Sequence, residues 1–260
     1  MPSFDTVNYS VTNRVALLEL NRSGSLNSFN EQLRVELLAA INQAESDDNV
    51  RVVIITGAGK GFSAGADLKE ILAGCDSIEA QILEEYKPFL CRISQSDKTY
   101  IAAVHGAAAG IGGALAMTCD LMVMAESAYL YMAFSAIGLV PDGGATWHLV
   151  NSLGYKRAYE LIAEAGKLPA EQCVSLGLAN KVVADAELLD YAQTWAERLA
   201  AGAPLSQKYL KQLLQSAQRL SLEETIRLEA GYQNITFTSD DFQEGVAAFF
   251  DKRKPVFKGL

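Results

Sequence analysis

The chain has 260 residues, a formal net charge of −9 and 50% apolar residues, and none of its apolar runs reaches the ~18–20 residues of a membrane span. So acidic a balance argues against broad binding to nucleic acid or to anionic membranes, and the length suits one large domain with an appendage. Cys75, Cys91, Cys119 and Cys173 are scattered and "MPSFDTVNYS" lacks a basic-then-apolar leader, so reduced thiols, no disulfide framework, no zinc site and a cytoplasmic setting are the expectation.

In chain order, "VNYSVTNRVALLEL" gives two short strands turning at Asn13–Arg14, a β-hairpin. "FNEQLRVELLAAINQAESD" places Leu33, Val35, Leu37, Leu38 and Ile41 at helical spacing, with Asn30 as the cap. "VRVVIITG" (Val50–Gly57) is a β-branched run that reads as a buried strand. A glycine-rich loop and short helix follow, then a longer helix over "SIEAQILEEYKPFLCRISQS", disturbed near Pro88. "YIAAVHG" is a second buried strand, "GIGGALAMTCD" a helix, and "LMVMAE" and "AYLYM" further strands. Beyond Asp142 the chain is mostly helical, with "ANKVV" the one strand. The expected division is an α/β body over 1–190 and a helical region over 191–260.

Two glycine-rich turns, "GAGKGFSAGADL" and "HGAAAGIGGALA", each leave a buried strand and enter a helix. Free backbone N–H groups at such helix starts favour negative charge. Neither turn carries a nucleotide P-loop ending or a placed dinucleotide fingerprint. They are therefore either a paired oxyanion site or glycines used for close packing. In "GLVPDGGATW", Asp142 is likewise either an N-cap or a group that moves a proton. Apolar neighbours would strengthen it as a base, and Leu139, Val140, Phe134, Trp147 and Met132 are the expected wall. Asp120 and Glu126 read as structural acids, His105 as a strand-end anchor, His148 as a helix residue beside Trp147, and Asp67 as a cap.

Six blocks in order, "LNRSGSLNSFN", "VVIITGAGKGFSAGADLKE", "AAVHGAAAGIGGALAMTCDLMVMAESA", "IGLVPDGGATW", "LPAEQCVSLGLANKVV" and "FQEGVAAFFDKRKPVF", make the chain resemble the enoyl-CoA hydratase/isomerase (crotonase) family over nearly its whole length. The resemblance implies an α/β fold, a spiral of ββα units with a C-terminal helical trimerisation region. It implies an acyl-CoA thioester substrate, coenzyme A entering only as part of that substrate, no other cofactor, no metal, and a homotrimer or dimer of trimers. Carried over by position, the enolate oxygen would be held by the backbone N–H groups of Ala64 and Ile111. The CoA nucleotide would lie near Arg22, Ser25 and Leu26 and along Ala64, Gly65, Ala66, Asp67 and Leu68. Phe249, Lys252 and Phe257 would close over it, in some relatives from a neighbouring subunit.

The two glutamates of the family's hydratases have Ala114 and Phe134 as their counterparts here, and neither is ionisable. Asp142 is the carboxylate left in position. The block "MAFSAIGLVPDGGATW" resembles the isomerase branch, in particular enzymes that open a ring epoxide in phenylacetate breakdown. The implied activity is a shift of a double bond in an enoyl-CoA, or that ring opening, through an enolate held by backbone amides. A hydratase using another water-activating group and a non-catalytic acyl-CoA-binding or assembly subunit are the alternatives.

Overall fold

The computed structural model describes residues 4–74 and 76–260, so Cys75 lies outside the described residues. Strands β1 (Val7–Thr12) and β2 (Val15–Leu20) form the expected hairpin, with Asn13 and Arg14 both at positive φ in its two-residue turn. Helix α1 (Glu31–Ser46) is capped by Asn30, whose side chain accepts from the Leu33 N–H at 3.1 Å. Leu33, Leu37 and Ile41 are buried as the periodicity requires, whereas Val35 is exposed, because it lies off that stripe. Strand β3 (Val52–Gly57) is buried throughout.

After α2 (Leu68–Gly74), the long helix expected around Pro88 is broken into α3 (Ile78–Gln81), a π turn over Ile82–Tyr86, and α4 (Lys87–Ser94). Proline lacks the N–H that continues an α-helix, and its ring crowds the carbonyl one turn back; a wider turn relieves both. Strand β4 (Thr99–Val104), the short β5 (Ala107–Ala109), helix α5 (Ile111–Thr118), β6 (Leu121–Ala125) and β7 (Tyr129–Tyr131) follow. Then come α6 (Ala145–Leu153), α7 (Tyr155–Ala163), β8 (Lys167–Pro169), α8 (Ala170–Ser175) and β9 (Lys181–Val183).

The main sheet has the order β1-β2-β3-β4-β6-β9, parallel except for the β1–β2 hairpin, and a small second sheet has the order β5-β7-β8. Parallel order puts the C-terminal ends of β3 and β4 side by side, so both glycine-rich turns emerge at one edge. The sequence pattern does not predict strand β5. "AAA" is too short and too neutral in propensity to announce a strand, and its pairing with β7 creates it.

Helix α9 (Leu188–Ala200) buries Leu188, Ala192, Ala196 and Ala200 and packs on β3 and β4. The expected division at residue 190 therefore falls inside an element of the body. The helical region proper comprises α10 (Pro204–Ala217), α11 (Leu222–Phe237) and α12 (Asp240–Asp251). Lys211 of α10 ties it to the body by donating to the carbonyls of Ile93 and Lys98 and to the Asp120 carboxylate, the last at 2.9 Å. Asp120 also accepts from the Tyr100 N–H, so it is a structural acid, as expected. Among the described residues no helix is long and apolar enough to cross a membrane.

Candidate active site

The first glycine-rich turn is fixed by the buried Asn27. Its amide donates to the carbonyls of Ala58 and Gly61, both at 2.8 Å, and its oxygen accepts from the Arg22 N–H. The turn is then laced to the second one. Phe62 N–H donates to His105 O, Ser63 N–H to Ala107 O and Ala109 N–H to Ser63 O, the last two forming a parallel bridge between Ser63 and Ala108. His105 Nε2 meets Gly59 O at 3.1 Å, in keeping with an anchoring role. Running that register forward sets Gly65 against Gly110, each one residue before Ala66 and Ile111 respectively. The contact is direct: a Cβ on Gly110 would sit 3.8 Å from Gly65 Cα, and one on Gly65 would sit 3.0 Å from Ala109 O. Both glycines have positive φ, and with side chains the two backbones would not approach this closely.

The amides at this junction differ from the expectation in one respect. Ala64 N–H, the expected first donor, is already given to Leu26 O at 2.8 Å. The free one is two residues on. Phe29 bridges Ala66 by donating to Gly65 O and accepting from Asp67 N–H, which turns Ala66's own N–H away from that ladder. The Ala66 N–H has no partner among the described residues, and neither does that of Ile111, the first residue of α5. The position was missed because the sequence shows where glycines bend the chain but not which alternate amide a distant strand residue uses.

Asp142 is placed by its neighbour Gly143. Gly143 is pressed into α5 and α4: a Cβ there would lie 2.5 Å from Ile111 Cδ1, 2.9 Å from Ala114 Cβ and 3.4 Å from Leu90 Cδ1. Asp142 is thereby held one residue from a packing contact with the first turn of α5 at Ile111 and Ala114. The N-cap role is not realised: α6 begins after Gly144, at φ 81°, with no side-chain capping bond. Instead Asp142 Oδ1 is buried without a hydrogen-bond partner, and burial lifts its carboxyl from the ordinary value to about 6. The wall differs from the expected one. Leu139, Val140 and Trp147 are exposed, while Met132 and Phe134 are buried. Phe134 lies over Gly110, its Cζ 3.7 Å from where a Cβ would be. His148 bonds Thr118 Oγ1 at 3.2 Å and is pushed down to about 4 by burial, so it is neutral and structural.

The residues expected around the nucleotide divide into two groups. Arg22 pairs with Asp67 at 3.0 Å and also donates to Ser28, so the two hold each other at the rim of the first turn. Asp67 also accepts from the Lys69 N–H at 3.2 Å at the start of α2, as a cap does. Ser25, Leu26 and Leu68 are exposed alongside them. The tail residues lie elsewhere in the same chain. Phe257 O accepts from Arg51, just ahead of β3, at the end of the sheet remote from Gly57. A six-residue strand is about 20 Å long, so Phe257 does not close over this chain's own turns. Phe249 is exposed on α12, and Lys252 ends that helix in the left-handed region.

Two backbone N–H groups without a partner among the described residues, those of Ala66 and Ile111, thus lie in the part of the fold that Gly143 packs against, and Gly143 is one residue from Asp142 with its buried and unpaired Oδ1. The sequence profile of the enoyl-CoA hydratase/isomerase family matches residues 10–260. The chain belongs to that family, whose members act on acyl-CoA thioesters, and its fold is the crotonase fold. It is similar to the 1,2-epoxyphenylacetyl-CoA isomerase of Escherichia coli (strain K12), 39% identical over 249 residues that cover 94% of this chain and 95% of that protein. A probable enoyl-CoA hydratase of Rhodobacter capsulatus is 35% identical over 257 residues, covering 99% of each chain. Among solved structures, an enoyl-CoA hydratase from Bacillus anthracis superposes with a TM-score of 0.94 at 30% identity, covering 98% of this chain and 100% of that one.

Proposed function

We propose that the chain is an acyl-CoA isomerase that moves a double bond in an enoyl-CoA, or opens a ring epoxide in a related acyl group. Asp142 takes a proton from the carbon next to the thioester. The electron pair delocalises onto the thioester oxygen, which the Ala66 and Ile111 N–H groups hold as an enolate. The same proton then returns to the γ carbon, and the double bond ends in conjugation with the carbonyl. The supporting observations are the buried, unpaired Asp142 Oδ1 next to a glycine that packs on Ile111, and the unpartnered Ala66 and Ile111 amides, with Ala114 and Phe134 where a hydratase needs ionisable groups. The similarity to the E. coli isomerase agrees with this reading.

The exposed residues Ser25, Leu26 and Leu68 and the Arg22–Asp67 pair would flank the CoA moiety, and no further cofactor enters the chemistry. Because Phe257 is held at the far end of its own sheet, the tail with Phe249, Lys252 and Phe257 would close the site of a neighbouring copy in a trimer or a dimer of trimers. Hydration is the second reading, favoured by relatives of similar identity that are named as hydratases. Incubation with a 3-enoyl-CoA and, separately, a 2-enoyl-CoA distinguishes them by the absorbance of the conjugated thioester. Conversion of the first without hydration of the second is expected; hydration of the second with no conversion of the first would sink the isomerase reading.

A further inference from the structure

Asp142 Oδ1 is not the only buried polar atom in this region without a hydrogen bond. The hydroxyl of Tyr86, a residue 1% exposed, has none either. Leaving such a group unsatisfied costs about 1–3 kcal/mol, so two in one neighbourhood call for a common explanation.

The placement of Tyr86 follows from the chain. It closes the π turn ahead of Pro88, and Leu90, four residues on along the same helix face, is the residue that Gly143 rests against. Tyr86 thus lies one helical turn from a side chain that touches the neighbour of Asp142, near enough to feel the Asp142 charge. Its ring meets Phe29 edge-on at 6.4 Å and Phe89 at 6.2 Å, and Phe29 is the residue whose backbone orients the Ala66 amide. Below the ring lies Arg34, 5.8 Å from its centroid and 3% exposed, its guanidinium held by Glu70 and Glu85. The ring therefore has packing partners on several sides, and only its hydroxyl is left over. Burial raises the phenol's pKa; the Arg34 charge opposes that rise and the Asp142 charge adds to it, and the net shift is upward, so the group stays a donor near neutral pH.

The two orphans are complementary in what they ask for. An ionised carboxylate accepts only, and a proton taken from carbon satisfies it. A neutral phenol seeks an acceptor, and the two do not bond each other. A hydrocarbon acyl chain answers the first demand and not the second. An acyl chain carrying an oxygen near its acidic carbon answers both.

We propose that Tyr86 reads the acyl group, donating a hydrogen bond to an oxygen at the β or γ position, so that the site selects oxygen-bearing acyl-CoA thioesters over plain alkyl ones. The inference rests on the acyl-CoA reading of the site. The test is calorimetric binding of pentanoyl-CoA, ethoxyacetyl-CoA and 3-methoxypropanoyl-CoA, which differ only by exchange of one CH2 for oxygen, to wild type and to Tyr86→Phe. In wild type one of the two ethers binds tighter relative to pentanoyl-CoA, and in Tyr86→Phe that preference falls about three- to tenfold, the range of one hydrogen bond. The variant's Tm is equal to or above wild type, since an unsatisfied buried hydroxyl has been removed. Preferences equal within twofold in the two proteins would overturn the proposal. So would a Tm several degrees lower, which would make the hydroxyl structural. Failure of all three thioesters to bind wild type would defeat the acyl-CoA reading as well, whereas binding with unchanged preference would defeat only the role of Tyr86.

Discussion

On the amide side of the site, the turn from Gly57 to Leu68 is hydrogen-bonded nearly everywhere: Asn27 holds Ala58 and Gly61, Ser63 Oγ donates to Asn27 O, and Ala64 donates to Leu26 O. On the carboxylate side, Asp142 Oδ1 and Tyr86 Oη are buried and unpaired. The first region is organised before anything binds. The second is electrostatically unsatisfied until something does. Charge stabilisation by fixed dipoles gains from rigidity, because no reorganisation is needed as the charge develops. Proton transfer gains from a base whose anion is poorly solvated, because that makes it basic enough to act near neutral pH.

The largest expected effect comes from removing the unsatisfied carboxylate. Asp142→Asn should lower kcat for a 3-enoyl-CoA by about 10³-fold or more while leaving thioester binding measurable. Near-normal turnover in a continuous absorbance assay would break the comparison at its centre. In wild type, kcat/KM should rise about tenfold per pH unit below pH 6 and level off above it, since the ionised form is the base.

The opposite region is probed by Gly65→Ala. The new methyl would lie 3.0 Å from Ala109 O at a φ of +96°, a backbone geometry that costs an L side chain about 1–3 kcal/mol. Displacing the Ala66 amide by that strain should cut kcat by about 10–100-fold, approaching the loss of one donor. A variant with normal kcat would show that the amide tolerates movement and that rigidity on this side is not needed.

Stability separates the two regions with the opposite sign. Folding raises the Asp142 pKa from 3.8 to about 6, so the folded state holds that proton more tightly. The resulting stabilisation is full below about pH 3.8 and is lost as pH rises through about 6. Asp142→Asn should therefore be more stable than wild type at pH 7, by up to about 3 kcal/mol, and the gain should shrink toward pH 4 in urea titrations. Asn27→Ala should do the reverse, destabilising by about 2 kcal/mol at all pH values through its lost bonds to two carbonyls.

The legible part of this molecule was local. β-branched runs gave β3 and β4, Asn30 gave the start of α1, and glycines after strands marked the two turns. What escaped was set by partners distant in the chain. The choice of Ala66 over Ala64 depends on Leu26 and Phe29, and the seat of the Asp142–Gly143 turn on Leu90, Ile111 and Ala114, which the adjacent sequence does not name. Tyr86 escaped altogether, because an aromatic in the middle of an expected helix reads as core; its unpaired hydroxyl exists only in three dimensions.

The pairing of Gly143 with Ala114 has a consequence for the fate of a label. With Ala114 and Phe134 at the two positions where a hydratase needs ionisable groups, and Asp142 Oδ1 without a hydrogen-bond partner among the described residues, no hydrogen-bonded acid stands ready to relay its hydrogen to bulk water. A substrate deuterated at the α carbon should then yield product carrying much of that deuterium at the γ carbon, delivered to the same face from which it left. Turnover in heavy water should, in turn, wash little solvent isotope into the product.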